Sequence, residues 1–277
     1  MTFTELARDY LESARGGLGD ASFANLRYNI ENYVIPAYGD LDARSLSEGV
    51  MLSRALRMGG NGGNLSSLTR VKNFEIAKRV AKRGMKRGSV PVFLLDFYLE
   101  DSPRKGKTTD SFSDGEVKAF TDGVLKHLSG RTLGYLLSLC AGLRIGEVCG
   151  LHWGDIDIER RVIHAGRTVQ RVPLDGGGTR LVVEPPEANP KKRDILMSQR
   201  LAGLVAGNFN IDEVRDMFLT TGRERPMEPR TYRRVFADFL RDCGIRGRPY
   251  KVLRLTYEAA CERRAAQAVA SAGEDLF

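Results

Sequence analysis

Cysteine and histidine are scarce in this chain, with four and three in 277 residues. Cys140, Cys149, Cys243 and Cys261 form no C-x-x-C pair, which argues against zinc and dithiol redox motifs. They stand in apolar stretches and are expected to be buried free thiols, as suits a reducing compartment. His127, His152 and His164 have no metal-ligand spacing, so no metal and no cofactor are expected. Walker and G-x-S-x-G motifs are absent. No run reaches the roughly 18 apolar residues of a membrane span. The opening "MTFTELARDY" is acidic and amphipathic, unlike a signal peptide. A cytoplasmic protein, with no membrane partner, is the expectation.

Composition otherwise suits an ordinary globular protein, with 42% hydrophobic and 28% charged residues. The length fits one large domain or two smaller ones. Net charge is +8 and the isoelectric point is near 9.4, an excess that favours polyanions such as nucleic acid.

The first hundred residues read as helices. Phe3, Leu6, Ala7, Tyr10 and Leu11 form one apolar stripe; Leu26, Ile30, Tyr33 and Val34 form a second, predicted to stop at Pro36. Residues 45–58 are a third candidate, and the glycine-rich 59–64 a loop. A helix over about 65–84 has Leu68, Val71, Phe74, Ala77 and Val80 as its apolar edge. Its other faces carry Arg70, Lys72, Lys78, Arg79, Lys82 and Arg83, continuing to Lys86 and Arg87. Glu75 is its one acid, so the cations lack i,i+4 partners; repulsion among them points to a phosphate-facing surface.

Residues 100–110 read as a linker between a domain ending near residue 103 and another from about 108 to 277. Ser113 and Glu116 have capping-box spacing, and the helix through Leu133, Leu136, Leu137 and Cys140 is apolar on most sides. "RVIHAGRTVQRV", "TRLVVE" and "RDILM" are short β-rich runs around the turn signal "DGGG" at 175–178. Helices return from Arg200, "TYRRVFADFLRDCGI" being clearly amphipathic. The fold class expected is mostly α with a small antiparallel sheet (α+β).

"CAGLRIGEVCGLHWGDID" resembles the first signature of the tyrosine recombinases, the phage integrase family, through Gly142, Leu143, Arg144, Glu147, Leu151, Trp153, Asp155, Ile156 and Asp157. The resemblance implies that Arg144 grips a DNA phosphate: a guanidinium fork suits two phosphate oxygens and a pentavalent transition state. Glu147 would hold the turn. "NLRYNIENYVIPAYGDLDARSL" looks like the family's helical core-binding domain. "KVLRLTYEAA" matches the second signature, H-x-L-R-H-T, at Leu253, Arg254 and Thr256, making Arg254 a second phosphate ligand.

Departures fall where the chemistry belongs. Lys251 occupies the position of the first histidine and Leu255 that of the second. Alignment on Arg193, Asp194 and Ile195 puts Glu187 where the family has a lysine, with Lys191 or Lys192 as substitutes if the register slips. No G-H pair and tyrosine follow Arg254 in these 277 residues, and Tyr257 and Tyr250 are read as packing residues. The resemblance implies double-stranded DNA as partner, nucleoid association, and either a full-length recombinase or self-association on DNA. Two readings compete: a non-catalytic, DNA-binding relative, which the substitutions favour, and a fragment of an active integrase working through a phosphotyrosine. A basic RNA-binding protein is a third, without a base-stacking motif to support it.

Overall fold

A computed structural model describes residues 1–59, 65–99, 111–174, 177–187, 189 and 192–274, with side chains to residue 266. The linker 100–110, most of the glycine-rich loop, Asp175 and Lys191 lie outside the described residues. The chain divides into two compact units, Met1–Gly106 with Val172–Arg180, and Lys107–Arg171 with Leu181–Phe277.

In the first unit, Thr2 and Glu5 cap α1 (Phe3–Ala14) reciprocally, and its stripe Phe3, Leu6, Ala7 and Leu11 is buried. Helix α2 (Asp20–Asn29) does not stop at Pro36. It passes through a π-turn, Ile30–Val34, into α3 (Ile35–Tyr38), whose first turn contains the proline. A proline there loses little, because the N–H it lacks would not be used in a first turn and the wide π-turn has already broken the i→i−4 ladder. Ser47 caps α4 (Glu48–Leu56), and Ser66 caps α5 (Ser67–Lys86). Phe74, Ala77 and Val80 enter the core with Phe3, Ile30, Tyr38 and Met51, whereas Leu68 is exposed.

In the second unit, the reciprocal Ser113–Glu116 cap starts α6 (Asp114–Lys126). The central α7 (Gly130–Ala141) is buried on nearly every face and ends at Gly142 in the left-handed region. After α8 (Ile145–Gly150), strands β1 (Ile156–Asp157) and β2 (Val162–Ala165) pair antiparallel. β3 (Thr168–Pro173) and β4 (Thr179–Glu184) form a separate two-stranded sheet, with positive φ at Gly177 and Gly178 before β4. β5 (Arg193–Leu196) returns to β2 with Ile163 opposite Ile195. Four helices follow: α9 (Gln199–Asn208), α10 (Ile211–Val214), α11 (Pro229–Asp242) and α12 (Val252–Glu274). Tyr135, Tyr232, Phe236 and Tyr250 pack ring to ring beneath them, with centroids 4.9–6.2 Å apart. The class is α+β, mostly α, as expected.

The cysteines depart from expectation. Cys149 is buried, and burial pushes its thiol up to about 12. Cys243 is half-buried, but Cys140 and Cys261 stand on exposed positions of α7 and α12.

Candidate phosphate site and basic helix

The turn that carries Arg144 is fixed from both sides. Gly142 has φ +65°, and a Cβ there would come 2.5 Å from the ring of Tyr257 on α12, so glycine serves both backbone and packing. Arg144 is the N-cap residue of α8. Its backbone N–H donates to Glu147 Oε2 at 2.7 Å and its Nη1 to Oε1 at 3.0 Å. Glu147 is only 4% exposed. It also accepts both terminal nitrogens of Arg193 from β5, Nη2 at 3.1 Å and Nη1 closer still. Burial alone would raise the Glu147 pKa; hydrogen bonds and charge from Arg193 and Arg144 outweigh it and hold the carboxyl below its usual range. One buried carboxylate thus joins two guanidiniums. Arg144 remains half-exposed, with Nε and Nη2 outside this network.

The other signature residues are structural. Leu143, Leu151 and Trp153 are core. Asp155 caps the His152 N–H and accepts Arg167 Nη1 on both oxygens at 2.7 Å. Asp157 accepts the Arg160 N–H.

Arg254 lies in the first turn of α12, one turn before Tyr257. Its Nε donates to Glu258 at 2.7 Å, and its Nη1 is buried with no acceptor among the described residues. Lys251 is exposed at the mouth of α12 and Leu255 is half-buried. The Thr256 hydroxyl accepts the Phe112 N–H and donates to Val252 O, both at 2.8 Å, tying the unit's start to α12. Tyr250 is 5% exposed, its hydroxyl lies 2.7 Å from that of Ser138, and burial drives its phenol pKa far up. Tyr257 is half-buried; a hydrogen bond with Cys261, then burial, raises its pKa, against the opposing charge of nearby Arg193.

Glu187 is exposed in the turn after β4, and Lys192 is exposed just before β5. Asn189 pins this turn by donating to Gly166 O at 2.7 Å. Neither Glu187 nor Lys192 bonds to the Arg144 network. No group of three His, Cys, Asp or Glu among the described residues could hold a metal ion.

On α5 the basic residues separate. Lys78 does not face solvent: it is 8% exposed, and its ammonium donates to Phe97 O at 2.8 Å and to Glu75 at 3.1 Å. It lies within 5.0–5.7 Å of the Phe74, Phe97 and Tyr98 ring centroids. Its position one turn after Phe74 carries it under the irregular segment 91–99, so it is a buried staple rather than a phosphate ligand. Arg83 and Arg87 both pair with Asp9 of α1 at 2.5 Å, so partners missing along α5 come from another helix. Arg70 is half-buried, whereas Lys72, Arg79, Lys82 and Lys86 are exposed. The seven-residue spacing of Lys72, Arg79 and Lys86 sets them in one stripe, about 10.5 Å apart. Sequence reasoning missed Arg193, whose partner lies 46 positions away. It also assigned no role to the exposed Arg230, Arg233 and Arg234 at the start of α11.

No family model matches the chain. A tyrosine recombinase XerC-like protein of Caldanaerobacter subterraneus subsp. tengcongensis is 24% identical over 166 residues, 53% of this chain and 42% of that relative, so the chain spans under half of the curated protein it matches. Among solved structures, the Tn1549 transposon integrase with transposon right end DNA superposes with a TM-score of 0.70 at 19% identity, covering 93% of this chain and 85% of that one. The chain has the integrase fold. A second structure of that integrase, with circular intermediate DNA, gives 0.67 at 21% identity, covering 96% and 88%. A lambda integrase dimer on a COC′ core site gives 0.55 at 13%, covering 93% and 88%. These integrase likenesses extend over both compact units. The curated relative is a tyrosine recombinase, and the solved structures share this chain's fold.

Proposed function

We propose that this integrase-fold chain is a DNA-binding member of the tyrosine recombinases, acting in site-specific recombination or integration, with Arg144 and Arg254 gripping a backbone phosphate of duplex DNA. The observation that carries this is the Arg144 turn. A half-exposed guanidinium is held by a buried carboxylate, and Gly142, two residues before it, packs against Tyr257 of the helix that bears Arg254. The two domains, 1–103 and 108–277, would each contact duplex DNA. The exposed cations Lys72, Arg79, Lys82 and Lys86 of α5 supply non-specific backbone attraction, to which Arg70 and, within the second unit, Lys192 add. Self-association on DNA, or a full-length recombinase as partner, belongs to the same reading.

For the chemistry, Lys251 at a histidine position could donate a proton to a leaving oxygen, while Glu187 near a phosphate has the wrong sign. This favours a DNA-binding role with weakened cleavage; an active integrase is the second reading, supported by the unpaired Arg254 nitrogen. The test is fluorescence anisotropy with a labelled duplex. Arg144→Ala and Arg254→Ala should each weaken binding by about 1.5–3 kcal/mol, the worth of a hydrogen bond to a charged group, with unchanged circular dichroism. Unchanged affinity in both would refute the clamp.

A further inference from the structure

We infer that Arg193 is a positioning residue: by taking both oxygens of the buried Glu147, it neutralises that carboxylate and frees Arg144 to hold an anion. This rests on the reading that Arg144 contacts a DNA phosphate.

The division of labour is visible in the geometry. Arg193 commits both terminal nitrogens to Glu147, and only a third of its side chain is exposed. Arg144 commits one, is half-exposed, and keeps two guanidinium nitrogens for another partner. Glu147 cannot be dispensed with, because it accepts the backbone N–H that starts α8. Its charge nonetheless sits beside the guanidinium that must attract a phosphate. Arg144 with Glu147 alone sums to zero. Adding Arg193 makes the trio +1 and gives the carboxylate a full second partner, so Arg144 is not held by charge alone. The next residue of β5, Asp194, bonds instead to His164 of β2 at 2.7 Å. Successive strand residues point to opposite faces, which keeps that carboxylate out of the trio. Tyr257 packs on Gly142, at the start of the turn that carries Arg144.

The experiment measures duplex affinity and its salt dependence for Arg193→Gln, Arg193→Lys, the double variant Glu147→Gln/Arg193→Gln, and Arg144→Ala as control, each checked for folding by circular dichroism and thermal melting. Arg193→Gln should bind about tenfold more weakly than the parent, the range of one charge-assisted contact. Arg193→Lys, which keeps the charge, should lose less. The double variant, in which the buried charge is gone, should recover most of the loss although it carries one more substitution. A merely structural arginine predicts otherwise: the double variant would be no better than the single. If Arg193→Gln does not fold, Arg193→Lys with and without Glu147→Gln carries the same comparison, and absence of recovery overturns the proposal. Should Arg144→Ala weaken binding while folded Arg193→Gln binds like the parent, the positioning role falls and the phosphate clamp stands. Should Arg144→Ala bind normally, the clamp itself fails and takes the positioning role with it.

Discussion

Replacing Lys72, Arg79, Lys82 and Lys86 together by alanine removes four exposed cations of α5 that have no ion-pair partner among the described residues, while leaving its buried face intact. Each cation bound to a B-DNA phosphate releases a counterion and contributes about 0.9 to the slope of log K against log salt. Four contacts therefore account for a slope of about 3.6, which between 50 and 200 mM salt is roughly a 150-fold change in affinity. The contrast that makes the experiment decisive is Lys78→Met. This substitution removes a cation from the same helix but from a site under Phe97 and Tyr98, where it holds a backbone carbonyl. It should cost about 1.5–3 kcal/mol of stability through the lost charge-assisted hydrogen bond, and leave the slope unchanged. The assay is anisotropy titration of a random-sequence duplex across salt, since this electrostatic attraction does not depend on sequence. A Lys78→Met slope that falls by as much as one surface cation would refute the burial argument, and a quadruple variant with the parental slope would place the DNA surface elsewhere.

Gly142→Ala should destabilise the second unit by at least about 1–2 kcal/mol, the left-handed penalty for a side chain, because the Tyr257 ring also blocks the new methyl; thermal melting reads this, and Tyr257→Ala in the same chain should relieve part of it. On a nicked suicide substrate, no covalent adduct should map to Tyr250 or Tyr257: the first is buried against Ser138, and the second packs on Gly142 with a raised pKa. Mass spectrometry locating a phosphotyrosine at either would show that an unorthodox nucleophile is in use. Acid should destabilise the fold through Glu147, Glu116 and Asp9, whose carboxyls are held low by Arg193, Arg248 and Arg83 respectively, against burial. A depressed folded-state pKa stabilises above the unfolded value and is lost as pH falls through the folded one. Denaturant titrations from about pH 5 downward should therefore show a shallower loss for Glu147→Gln than for the parent; parallel curves would remove Glu147 from that linkage.

Much of the fold was legible because its signals are local. The Ser113–Glu116 box, the buried stripe of α1, the β-runs between 162 and 196 and the turn at Gly142 all depend on residues within a few positions of one another. Pro36 misled because its helix-stopping rule assumes an unbroken α-helix, and the preceding π-turn changes the register. Lys78 and the Asp9 pairs misled for a different reason. The helix periodicity of α5 says which residues share a face, but not that residues 97–98 cover one edge or that a carboxylate 74 positions away meets Arg83. The site divides in the same way. Arg144 and Glu147 are three residues apart and readable as a motif, whereas Arg193 enters only when β5 folds beside α8.

The most direct measurement is a structure of this chain bound to duplex DNA. One backbone phosphate is expected within hydrogen-bond distance of Nε or Nη2 of Arg144 and of the guanidinium of Arg254, with the Glu147–Arg193 pair still closed. A duplex lying on another face, or a phosphate held by Arg193 with Arg144 turned away, would contradict it.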